Sequence, residues 1–123
     1  LLYDAPWSEE SRARLTALRN RGLWPPQVPA VVLAEALTGD ARRDFHANRL
    51  LRTCQIRDID EPTSREAARL RSATGRASTI SAVDAVVAAF ASLHPDPVVL
   101  TSDPRDLGAL AAQTTRPLTI AAT

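Results

Sequence analysis

Apolar residues in this chain gather in short runs broken by polar and proline-rich connections, and the spacing inside the runs changes along its length. Leu1-Leu2-Tyr3, closing at Asp4, predicts a short strand. Residues 8–21 carry helical spacing, with Ser8 as N-cap, Glu9 and Glu10 in the first turn, Leu15 and Leu18 inward, and Gly22 as stop. Trp24-Pro25-Pro26 reads as a rigid connection. Val28 leads into Pro29, which suits the first turn of a helix predicted to run to about Leu37, where Thr38-Gly39 ends it. A polar helix is predicted over 41–53 with Phe45, Leu50 and Leu51 as its apolar face, then a strand over 54–59.

Thr63-Ser-Arg-Glu66 has the form of a capping box, opening a helix that ends near Gly75. Ser81 begins a strongly apolar helix through Ala91, and Pro95 and Pro97 terminate it. Pro97-Val98-Val99-Leu100-Thr101 is an unbroken apolar run of the kind found in buried strands. Pro104 opens a helix to about Ala112, and Leu118-Thr119-Ile120 reads as a last strand. The alternation of strands and helices predicts an α/β fold with a central parallel sheet flanked by helices, in one domain over residues 1–123. Ligands in such folds gather at the carboxyl ends of the strands.

Against this pattern, four acids stand out. Asp4 ends the first apolar run. Glu35 interrupts Val31-Val32-Leu33-Ala34 and Ala36-Leu37. Asp84 interrupts Val83 and Ala85-Val86-Val87-Ala88-Ala89-Phe90. Asp103 closes Val98-Val99-Leu100-Thr101-Ser102. A carboxylate in apolar surroundings is costly unless its charge is compensated. Each acid also has a plain structural role open to it: a turn at Asp4, an exposed helix edge at Glu35, the third position of a capping box at Asp84, an N-cap at Asp103. Taken together, two strand-end acids and two acids on apolar helices favour a shared cation. A donor set of oxygens alone favours Mg²⁺ or Mn²⁺ over zinc, and such ions suit phosphoryl chemistry.

Composition narrows the field. Apolar residues make up 45% of the 123, which predicts a globular core, and aromatics only 4%, which makes that core aliphatic. A net charge of +1 argues against a generally basic nucleic-acid coat. All 15 basic residues are Arg, and nine lie between Arg42 and Arg76. Most read as solvated helix faces, with a minority able to line an RNA groove. The absence of Lys counts against a phospho-acceptor receiver domain, which clusters acids in the same way but needs a lysine beside them. The single Cys54 excludes a disulfide framework and fits a cytoplasmic protein; it is expected in a strand as a small buried hydrophobe. His46 and His94 are isolated and expected at the surface. No stretch reads as a membrane span or a signal peptide. The chain lacks an initiator Met, so residue 1 is not expected to be the start of a gene product.

Four segments carry a resemblance: Leu1–Ala5, Val28–Glu35, Ser81–Ala89 and Val98–Leu107, the last through Thr101-Ser102-Asp103-Pro104-Arg105-Asp106. In order and near-spacing they resemble the PIN-domain ribonucleases of the VapC toxin type. The resemblance implies a PIN-like three-layer sandwich and a Mg²⁺- or Mn²⁺-dependent endoribonuclease that cleaves RNA, inhibits translation and is silenced by a VapB-type antitoxin. It also implies a homodimer, and an antitoxin tail that lies in the acidic cleft. The family's acidic site carries onto Asp4, Glu35, Asp84 and Asp103. Asp4, Asp84 and Asp103 are the implied metal ligands, joined by Glu35, which would orient the attacking water or complete the shell, and by Asp106. Thr101 or Ser102 offers a hydroxyl. The implied products carry a 3′-hydroxyl and a 5′-phosphate. After the first Asp the chain departs from the family, running straight into Pro6-Trp7-Ser8; it is shorter there by about one to three helical turns, and a loop near the site is expected to be missing from the sequence. The alternative reading is a catalytically impaired PIN-fold module that binds RNA or a partner.

Overall fold

The computed structural model describes residues 2–4, 9–22 and 24–122, with only the backbone of 2–4, 9–12, 14 and 15. Among the described residues, five strands and six helices follow one another as β1 (Leu2–Asp4), α1 (Glu9–Asn20), β2 (Gln27–Pro29), α2 (Val32–Ala36), α3 (Phe45–Leu51), β3 (Gln55–Arg57), α4 (Glu61–Ala73), α5 (Ala82–Ala91), β4 (Val98–Thr101), α6 (Pro104–Ala111) and β5 (Thr119–Ala122). All strand pairs are parallel. One sheet has the order β1-β4-β5, and β2 pairs with β3 in a second. β1 and β2 pack side by side. Parallel strands and helical crossovers make this an α/β sandwich, as the alternating pattern predicts.

The core is built around α5. From Asp84 to Ala91 every residue but Val86 is buried. Ala85, Ala88, Ala89 and Ala91 let α4 approach closely, and Leu70 and Ile80 fill the space on that side. β4 and α6 also pack against α5, and Val99 and Leu100 of β4 and Leu107 and Leu110 of α6 are buried. Each such aliphatic side chain contributes about 1.5–3 kcal/mol on removal from water. This helix is apolar nearly all round because it lies in the interior.

Local signals at α5 and α6 held. Ser81 caps α5, its hydroxyl accepting the Asp84 N–H at 3.0 Å, and Asp103 caps α6 ahead of Pro104. Gly22 (φ +76°) turns the chain after α1. The predicted Ser8 cap lies outside the described residues, as does the side chain of Leu15; Leu18 packs against the core.

Elsewhere the structure corrects the pattern. Val28 and Pro29 belong to a strand, not to a helix. Gln55 N–H donates to Pro26 C=O (2.9 Å) and Ala30 N–H to Arg57 C=O (2.8 Å), so a partner far along the chain holds this segment extended. Pro29 fits because its missing donor would face away from β3. The helix predicted over 41–53 is only α3, and Phe45 is exposed on it. Residues before it form a turn on two acids. Asp40 accepts the N–H groups of Arg42 and Arg43, while Asp44 accepts those of Thr38 and Gly39 together with the Thr38 hydroxyl. Thr63 is not the cap of α4: Asp60 is, accepting the Thr63 N–H at 2.9 Å, and Glu66 pairs with Arg69 instead of returning to the helix start. Cys54 sits before β3, half-buried, its thiol donating to Leu50 C=O and pushed up in pKa by burial. His94 is half-buried against the Phe90 ring, its Nδ1 3.0 Å from Phe90 C=O.

Candidate metal centre

Three acids meet at one place. Asp84, Asp103 and Asp106 each present a carboxylate oxygen, all within 4.8 Å of one another. Asp84 is 8% exposed, on the first turn of α5, where the Ser81 cap holds its backbone. Asp103 follows β4. Its N–H donates to the hydroxyl of the fully enclosed Thr101 at 2.9 Å, and its own carboxylate accepts the Asp106 N–H at 3.3 Å. Asp106 is half-buried on the first turn of α6. Two helix N-termini therefore aim their first turns at the same point, and the partial positive charge of each favours carboxylates there.

The cluster also holds a cation. Arg76, on the loop between α4 and α5, places Nη2 2.7 Å from Asp106 Oδ1. Nothing local in the sequence separated this arginine from the eight others between residues 42 and 76; only the fold brings it to the acids.

The remaining expected residues divide. Asp4 is the last residue of β1, in register with Thr101, which puts its backbone at the carboxyl edge of the sheet two residues before Asp103 in the neighbouring strand's continuation. Its side chain, and the stretch Ala5–Ser8 where a loop was expected to be missing, lie outside the described residues. Glu35 is exposed on α2, and so are Ala34 and Ala36 beside it. The apolar run around it is thus not a buried environment, and Glu35 is not among the three acids that converge. Thr101 directs its hydroxyl to the Asp103 backbone, while Ser102 is exposed.

Hard oxygen donors at this spacing fit a divalent cation of the Mg²⁺ or Mn²⁺ kind, which takes carboxylates and completes its shell with water and substrate oxygens. No thiol or imidazole belongs to the group. No helix among the described residues is long and apolar enough to cross a membrane.

Among known families, the sequence model of the PIN domain fits residues 7–112. That span includes Glu35, Arg76, Asp84, Asp103 and Asp106 and begins after Asp4. No curated protein matches the chain.

Proposed function

The chain belongs to the PIN-domain family, and from that premise we propose that it is a metal-dependent endoribonuclease of the VapC toxin type. The observation that carries the proposal is the convergence of Asp84, Asp103 and Asp106 within 4.8 Å at the carboxyl edge of the sheet. PIN domains are generally metal-dependent nucleases, and this is the donor set such chemistry needs.

Asp84, Asp103 and Asp106 would hold the ion, with Asp4 entering from the neighbouring strand. A divalent cation there supplies electrostatic stabilisation of charge on a phosphodiester and favours ionisation of a nearby water. The chain's own groups do the rest. Ser81 and Thr101 fix the backbones of Asp84 and Asp103, so the carboxylates keep their positions when substrate arrives. Glu35, exposed on α2 and outside the converging group, is assigned to orienting the attacking water. In-line attack would leave a 3′-hydroxyl and a 5′-phosphate. A VapB-type antitoxin and a homodimeric state complete the proposal, supported by the likeness of the four sequence segments to that toxin group.

The test is cleavage of RNA by purified protein in Mn²⁺, in EDTA, and after Asp84→Asn. Wild type is expected to cleave in Mn²⁺ and to stop in EDTA. Asp84→Asn is expected to lose cleavage while its melting temperature in EDTA holds or rises, because one of three mutually repelling carboxylates is gone. Full activity in metal-loaded Asp84→Asn would disprove the assignment. RNA binding without cleavage by wild type would mark the catalytically impaired alternative.

A further inference from the structure

Arg76 is placed where a nuclease site needs a positive charge, and its ion pair with Asp106 uses only part of its guanidinium. We propose that Arg76 is a phosphate-binding residue of the site, its guanidinium receiving an RNA phosphate beside the ion; this rests on the nuclease reading above.

Three observations support it. The loop that carries Arg76 is firmly held. Gly75 (φ +70°) turns the chain, Arg76 N–H donates to the Thr74 hydroxyl at 3.1 Å, and Arg76 C=O accepts from Thr79 and Ile80 N–H at 2.9 and 3.0 Å. Arg71 Nε clamps the far end of the loop through Ile80 C=O at 2.6 Å. The guanidinium therefore stands on a fixed base. It is also underused: Asp106 takes Nη2, and the rest of the fork has no acceptor among the described residues, with 38% of the side chain exposed. A planar fork with free N–H groups matches a phosphate's oxygens. Finally, charge demands it. Three carboxylates repel a phosphodiester, and a divalent cation alone leaves the group negative. Arg76 offsets part of the negative charge that a divalent cation leaves on Asp84, Asp103, Asp106 and the Asp4 proposed to join them, which eases the approach of a phosphate.

The experiment measures binding apart from cleavage. A fluorescein-labelled, phosphorothioate-linked single-stranded RNA is titrated in Mg²⁺ over a range of salt with wild type, Arg76→Met and Arg76→Lys. Arg76→Met is expected to bind about tenfold more weakly, as for loss of a charged hydrogen bond, and to lower the slope of log affinity against log salt by about 0.7. Arg76→Lys keeps the charge, so the slope should stay while affinity falls. Unchanged affinity and slope in folded Arg76→Met, even with a lower melting temperature, would overturn the inference and leave Arg76 a mere tether for Asp106. Should Arg76→Met not fold, wild-type affinity in Arg76→Lys would overturn it. The two readings fail separately. Cleavage that depends on Asp84 beside binding indifferent to Arg76 sinks only the present inference. Binding that depends on Arg76, with no cleavage by wild type, sinks only the nuclease reading.

Discussion

At the scale of single residues, the same side-chain type serves opposite ends. Asp44 is nearly enclosed, 5% exposed, yet it is not among the acids that converge. Its carboxyl is held below the usual range, first by the Thr38 N–H, then by the Thr38 hydroxyl and the Gly39 N–H, against a smaller total push upward from burial. A carboxyl lowered by folding contributes stability that is complete above its unfolded value, about 4, and is lost as pH falls through the lower folded value. Asp44→Asn should therefore melt below wild type at pH 7, and the gap should narrow as pH falls below about 4. Melting curves across that range check it; a gap independent of pH would mean that shape, not charge, holds the turn. Asp84, similarly buried, sits instead with two other carboxylates. What separates the two is the company each keeps: backbone donors around Asp44, acids around Asp84.

At the scale of elements, the helix caps decide where the chemistry points. The Ser81 hydroxyl on the Asp84 N–H both starts α5 and orients its acidic first turn. Ser81→Ala should cost about 1 kcal/mol of stability. It should also weaken Mn²⁺ binding, because the turn bearing Asp84 loses its anchor. Denaturant melts paired with metal titration would show both effects; a stability loss with unaltered metal affinity would confine Ser81 to capping. The caps at α5 and α6 were legible because each is a local pattern, Ser-Ala-Val-Asp and Asp-Pro-Arg-Asp, whose hydrogen bonds close within three residues. At α4 the same kind of pattern misled. Thr63 and Glu66 have the right spacing, but Asp60 stands ahead of Pro62, and Arg69 draws Glu66 away. β2 was illegible for a different reason, since its ladder is made by β3, 28 residues on.

At the scale of the molecule, the site joins distant parts of the chain. Asp84 comes from α5, Asp103 and Asp106 from the β4–α6 junction, Arg76 from the α4–α5 loop, and β1 brings Asp4 to the same edge. An ion bound there ties these elements together only in the folded state. Added Mn²⁺ should raise the melting temperature, by an amount equivalent to about 2.7 kcal/mol at a hundredfold excess over its Kd, and EDTA should reverse the shift. A thermal scan with no shift would mean that the three acids are caps and nothing more.

By itself the sequence determined the α/β class, the order of most elements, the buried helix and three of the acids that line the carboxyl edge. These are matters of periodicity and of caps that act over a few residues, and they are written in neighbouring letters. The tertiary structure alone decided that Glu35 is exposed despite its apolar neighbours, that Val28 and Pro29 form a strand, and that Arg76 stands against the acids. Each depends on a partner far along the chain, and a run of apolar residues does not say which of its faces another element will cover.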